Sequence, residues 1–213
     1  MTMVANTQTI GIGALPLPRA AQLAYAPSMD TAPEDSALML RYRDGDVAAF
    51  EALYRRHSDA LYRYLLRLCR HRDGAEDVFQ EVWGKIIKAR DSYRPTAKFT
   101  TFLYRVAHNC FIDHIRRNKR HTQTADVEAD NQPDTGELPE MQVERSLARR
   151  RLLGALQELP EEQRDVFLLR EEAGLSLDNI ASITGTNRET AKSRLRYAVK
   201  KLRAAIDEPA GTS

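Results

Sequence analysis

From Glu34 onward, apolar residues recur every three or four positions, the spacing of helices that each bury one face. Leu38, Leu40 and Tyr42 predict a short helix that stops at Asp44-Gly45-Asp46. Val47, Phe50, Leu53, Tyr54, Leu61, Tyr64, Leu65 and Leu68 mark a long amphipathic helix ending near His71. Asp73 stands where it would cap a third, with Val78, Val82 and Ile86 on one face. That helix closes around Tyr93-Arg94-Pro95, because a residue before proline is pushed out of the helical region. A fourth starts after Lys98, with Thr100 or Thr101 as its cap, and runs to Arg120.

The pattern then breaks. Residues 122–144 carry seven acidic residues, no Lys or Arg, and Pro133, Gly136 and Pro139, without large apolar residues at helical spacing. This reads as a flexible acidic linker. Four further helices follow, at 144–158, from Pro160 to Glu172, from Ser176 to about Ile183, and from Asn187 to about Ala204. The first 33 residues, rich in Ala, Thr and Pro with only Arg19 and Asp30 charged, show no period and read as a disordered tail. The expected fold is all-α: two small helical domains, 34–121 and 144–206, joined by the linker 122–143, with 1–33 and 207–213 disordered.

Composition supports this without deciding function. Charged residues make up 29% of the 213 residues, yet the net charge is only +2, so local placement matters more than the total. Cys69 and Cys110 sit inside apolar helical patterns and read as buried free thiols of a cytoplasmic protein, not a disulfide framework. No apolar run is long enough to span a bilayer, and the N-terminus lacks the basic start of a secretory signal.

The chemistry concentrates in three stretches. Residues 184–203, "TGTNRETAKSRLRYAVKKLR", hold seven basic side chains against one acidic one. Ser176 caps the helix before them, Gly185 supplies a left-handed turn, and Thr186-Asn187-Arg188-Glu189 has capping-box spacing. Ala191, Leu195, Ala198 and Leu202 form an inward stripe. Short helix, glycine turn and longer basic helix make a helix-turn-helix, which would present Arg188, Glu189, Lys192, Ser193 and Arg196 to base edges. The competing reading is a solvated basic helix packed on its neighbour.

In "DGAEDVFQEVWGKII" (73–87), Glu76, Asp77, Gln80 and Glu81 lie on neighbouring turns with Phe79, Val82, Trp83 and Ile86 between them. Paired carboxylates can do acid–base work, but no nucleophile, phosphate-binding glycine loop or metal cluster accompanies them. A helix face that docks on a protein is more economical, beside the alternative of an ordinary exposed face. In "KFTTFLYRVAHNCFIDHIRRNKR" (98–120), aromatics alternate with cations, a mixture that suits unstacked bases and their phosphates. Phe102 and Phe111 are expected in the core instead. Cys110 and His114 lie one turn apart, but without a second ligand pair they do not make a zinc site.

The segments "AFEALYRRHSDALYRYLLRLCRHRDGAEDVFQEVW", "FLYRVAHNCFIDHIRR" and "LPEEQRDVFLLREEAGLSLDNIAS…TAKSRLRYAVKKLR", in this order, resemble bacterial extracytoplasmic-function (group IV) sigma factors over about residues 36–205. The resemblance implies a protein without catalytic residues or cofactors that binds core RNA polymerase and promoter DNA. It places core-polymerase contacts at Asp77, Val78, Gln80, Glu81, Trp83 and Ile87. It places −10 contacts, including capture of a flipped base, at Lys98, Phe99, Thr100, Arg105, His108, Asn109, Asp113, Arg116, Arg117 and Arg120. It places −35 contacts at Thr186, Arg188, Glu189, Thr190, Lys192, Ser193, Arg196, Tyr197 and Lys200. It also implies an anti-sigma protein as a common partner of the family, and a path for the acidic tether through the polymerase cleft. The chain departs from the family at Phe102, where Trp is usual, at Glu189 for Gly, at Tyr197 for a basic residue, and at Ala191 for Val. A stand-alone helix-turn-helix regulator is the alternative; an enzyme using Glu76, Asp77 and Glu81 is a third reading.

Overall fold

A computed structural model describes residues 34–122 and 140–207. The tail 1–33, the stretch 123–139 and residues 208–213 lie outside the described residues, and with them most of the expected linker. The described residues form eight helices: α1 (Asp35–Arg43), α2 (Val47–Cys69), α3 (Arg72–Lys88), α4 (Phe99–Thr122), α5 (Glu140–Glu158), α6 (Glu161–Glu171), α7 (Leu177–Thr184) and α8 (Arg188–Asp207). Helix α5 begins at Glu140, so residues 140–143, expected in the tether, are helical.

Local chemistry sets the ends of these helices. Asp46 caps α2, its Oδ1 accepting from the Ala49 N–H at 3.2 Å while Arg41 pairs with its other oxygen. Helix α2 stops at Arg70, which takes a left-handed conformation (φ 71°) and donates its N–H to the Leu66 carbonyl. The cap of α3 is His71, not Asp73: its Nδ1 accepts from the Gly74 N–H at 3.1 Å, and Asp73 falls inside the first turn. Gly74 leaves room for that ring, since a Cβ would come within 2.2 Å of His71 Cε1 and 2.9 Å of His114 Nε2. Helix α4 begins at Phe99, so Thr100 and Thr101 lie in its first turn instead of capping it.

Ser176 caps α7 as expected, with Gly185 left-handed (φ 64°) after it. The cap of α8 is Asn187, whose Oδ1 accepts from the Thr190 N–H at 2.7 Å. Thr186, the expected start of a capping box, shares its hydroxyl with Thr184 at 3.1 Å instead.

Helices α1–α4 pack as one group around Leu53, Leu61, Leu65, Val78, Val82, Ile86, Leu103 and Phe111. Helices α5–α8 form a second group around Leu159, Val166, Leu168, Ile180 and the α8 stripe Ala191, Leu195, Ala198 and Leu202. Both cysteines are buried free thiols, and burial pushes the Cys69 thiol up to about 12. The apolar core is continuous from Leu38 to Leu202, because α2 lies against α6 and α4 against α7. That seam includes the Tyr64 and Tyr104 rings, edge to face at 5.2 Å.

Candidate protein-docking and nucleic-acid surfaces

Helix α3 turns its inner face to α2 and α4, and this divides the expected docking residues. Asp77, Gln80 and Ile87 are exposed. Val78 and Trp83 are not: at 0% and 5% exposure they belong to the core and offer no surface to a partner. The Trp83 indole N–H is buried without an acceptor, and its ring packs on Tyr54 (4.8 Å) and Phe50 (5.8 Å). The apolar surface beside Asp77 and Gln80 comes instead from α2 and the α3 ring Phe79, which meets exposed Tyr54 at 6.2 Å. Val47 is 64% exposed at the start of the same α2. Sequence reasoning missed Tyr54 as surface; the signal was an α2 pattern carrying more apolar positions than one buried face needs.

Glu81 is half-buried and paired twice, with Lys85 at 2.9 Å and with Arg117 of α4 at 2.6 Å. Burial raises its pKa, but the hydrogen bonds from Arg117 and Lys85 outweigh it and hold the carboxyl below its usual range. One residue expected to touch polymerase and one expected to touch DNA therefore bind each other.

On α4, the exposed stripe carries Arg105, Asn109, Asp113 and Arg116, with Arg117 at its edge and Lys98 just before the helix. Asp113 reaches toward Lys85 at 3.7 Å and Arg116 at 4.0 Å. Thr100 is half-buried. Phe99 is a correction: 1% exposed, it packs between the His57 ring (5.3 Å) and Phe102 (6.3 Å) and is core, not a base contact. Phe111 is core as expected, while Phe102 is half-buried against Tyr93. The Arg120 side chain lies outside the described residues.

His108 and, from the same stripe, Arg105 face the second group. His108 Nδ1 lies 2.8 Å from Asp165 Oδ2, and Arg105 donates to the Ser182 hydroxyl at 3.0 Å. Asp165 is 4% exposed, and its other oxygen accepts from the Tyr64 hydroxyl at 2.7 Å. Burial, with Asp165 next to it, drives the Tyr64 pKa well up, so the phenol keeps the proton it donates.

Helix α8 presents the charged side chains expected of it, and Tyr197, outward. Arg188 pairs with Asp178 of α7 at 3.2 Å, and Glu189 with Lys192 at 3.6 Å, all largely exposed. The Arg196 guanidinium lies 5.4 Å from the Tyr197 ring centre, a cation–π contact on the open face. Lys200 is exposed, whereas Thr186, Thr190 and Ser193 are half-buried along the α7–α8 turn and the edge of α8. The α7–turn–α8 unit has the element order of a helix-turn-helix: a short helix, a left-handed glycine and a longer basic helix. Among the described residues no three His, Cys, Asp or Glu side chains converge to hold a metal, and no helix is long and apolar enough to cross a membrane.

Residues 53–121 match the Sigma-70 region 2 family and residues 149–202 the Sigma-70, region 4 family. The RNA polymerase sigma factor CarQ of Myxococcus xanthus is 32% identical over 170 residues, covering 80% of this chain and 96% of that protein. This chain is an extracytoplasmic-function sigma factor of the sigma-70 family. The ECF RNA polymerase sigma-E factor of Escherichia coli strain K12 is 33% identical over 181 residues, 81% of this chain and 92% of its own length. Two solved structures share the fold. CnrH in complex with the cytosolic domain of CnrY has a TM-score of 0.58 at 23% identity, covering 81% of this chain and 97% of CnrH. The sigma factor RpoE, in complex with the anti-sigma factor NepR from Bartonella quintana, has a TM-score of 0.61 at 24% identity, covering 75% and 98%. As a sigma factor the chain directs RNA polymerase to promoters, and sigma factors are not enzymes.

Proposed function

We propose that this sigma factor divides its work among three surfaces, centred on α3, α4 and α8. Asp77 and Gln80 of α3, flanked by Phe79, Tyr54 and Ile87, dock on core RNA polymerase. An exposed polar pair beside partly exposed aromatic rings is the composition of a protein interface, and this is the observation that carries the assignment. Val78, Trp83 and Glu81 act behind that surface by fixing α3 against α2 and α4.

The α4 stripe of Arg105, His108, Asn109, Asp113, Arg116 and Arg117, with Lys98 and Thr100, meets the −10 strand. Cations hold phosphates there, offsetting the few kcal/mol that extraction of a stacked base costs. Helix α8 meets the −35 duplex with Arg188, Lys192 and Arg196 on base edges or phosphates and Lys200 on the backbone. Glu189, paired with Lys192, accepts from cytosine N4 or repels a nearby phosphate, and so biases the sequence read.

The protein carries no chemistry of its own in this scheme and works in the cytoplasm, at the nucleoid through polymerase. An anti-sigma protein is a third partner, a reading supported by the solved relatives in complex with CnrY and NepR. The test is association of the full-length protein with purified core polymerase: Asp77→Ala with Gln80→Ala weakens it at least tenfold, and unchanged association refutes the α3 assignment.

A further inference from the structure

Arg188, Lys192 and Arg194 of α8 are each tied to a carboxylate: Arg188 to Asp178 at 3.2 Å, Lys192 to Glu189 at 3.6 Å, and Arg194 to Glu162 of α6. Arg196 is different. Among the described residues it has no carboxylate partner, and its guanidinium lies instead over the Tyr197 ring, 5.4 Å from the centre. Sequence neighbours on a helix point about 100° apart, so this contact exists only because the two side chains lean toward each other.

The ring has no place in the core. Tyr197 is 54% exposed, while α8 packs inward through Ala191, Leu195, Ala198 and Leu202. It stands on the flank of the outward face, one turn after Ser193 and one turn before Lys201. There it lines an open groove with Pro160 and Gln163 of α6 and with Lys200 and Lys201.

The kind of partner decides what the arginine can still do. A carboxylate fills the N–H fork of a guanidinium and cancels its charge, whereas a ring takes only its face. Arg196 therefore keeps its charge and its in-plane N–H donors, the fork that matches O6 and N7 of guanine. A free arginine gives up rotamer freedom when it binds, and a ring that already holds it removes part of that cost.

We infer that Tyr197 is a positioning residue for promoter reading: its ring aims Arg196 at one guanine of the −35 element, so that base preference at that position depends on a side chain acting through its neighbour. This rests on the assignment of α8 to the −35 duplex, and it names the base that Arg196 reads.

The experiment uses the full-length protein assembled with core RNA polymerase and a promoter library randomised over the −35 element. Transcripts are counted by base at each position. With the unaltered protein, one position shows a guanine preference, and Arg196→Ala lowers it by roughly tenfold or more. Tyr197→Leu, which keeps bulk and removes the ring, lowers the same preference about threefold to fivefold. The other positions and the melting temperature stay as they were. Tyr197→Phe keeps the ring and with it the preference. Adding Tyr197→Leu to Arg196→Ala costs nothing further at that position, because the ring acts through the arginine.

A guanine preference left intact by Tyr197→Leu overturns the proposal. So does a loss in Tyr197→Phe as large as in Tyr197→Leu, which would give the hydroxyl a DNA contact of its own. Additive losses in the double variant overturn it as well, since the ring would then touch DNA independently of Arg196. An effective Arg196→Ala beside a silent Tyr197→Leu removes the positioning role alone. A library profile that Arg196→Ala does not change removes the assignment of Arg196 to a base edge together with it.

Discussion

Tyr64 and Asp165, 101 residues apart in sequence, are joined by a 2.7 Å hydrogen bond with the tyrosine 0% and the aspartate 4% exposed. Such a bond, made to a charged acceptor out of water, contributes on the order of 1.5–3 kcal/mol. Tyr64→Phe keeps the ring against Tyr104 and removes only the donor. Urea unfolding of that variant is expected to show a loss of this size, with an unchanged dependence on denaturant. A loss below about 0.5 kcal/mol would mean that Asp165 is hydrated at the seam.

Asp35 ties α1 to α2 through His57 (2.8 Å) and Arg56 (2.9 Å). Burial raises its pKa, but the hydrogen bonds from His57 and Arg56 outweigh this and lower it below 3.8. A carboxyl whose folded pKa lies below its unfolded value adds stability above the unfolded value, and this is lost as pH falls through the folded one. The wild type is therefore expected to lose stability more steeply than Asp35→Asn between about pH 5 and pH 3. Parallel curves from thermal melts across that range would remove Asp35 from the acid response.

Gly74 leaves room for the His71 ring that caps α3. Gly74→Ala displaces that ring, so its cost is that of a lost cap, about 1 kcal/mol, and the cost largely vanishes in a His71→Ala background. Additive losses in the double variant would show that the crowding comes from His114 instead.

Arg196 stands exposed on α8 beside Tyr197. Arg196→Ala is expected to weaken use of the −35 element by about 1–3 kcal/mol while leaving the melting temperature unchanged. Equal use of matched and mismatched −35 elements by both proteins would exclude Arg196 from base recognition.

Much of this was legible before any coordinates. Ser176, Gly185 and the stripe Ala191–Leu195–Ala198–Leu202 describe the helix-turn-helix because caps, a left-handed turn and a buried stripe are local properties. The caps at His71 and Asn187 were misplaced onto Asp73 and Thr186, since several capping residues crowd each boundary and only the backbone path chooses between them. Val78, Trp83 and Phe99 were placed on surfaces by the resemblance alone, although Val78 also shares an apolar face with Val82 and Ile86. A single sequence does not say which flank turns inward. The seam was illegible for another reason: Asp165 sits in an α6 whose local pattern gives no sign that its partners are Tyr64 and His108, 101 and 57 residues away.

The central claim is that this chain makes RNA polymerase promoter-specific through α3, α4 and α8. In vitro transcription with purified core polymerase and a promoter library tests it most directly. Start-site-specific transcripts are expected only when the protein is added, and they should fall sharply with Asp77→Ala combined with Gln80→Ala. Failure to obtain any such transcript with active core enzyme would contradict the account.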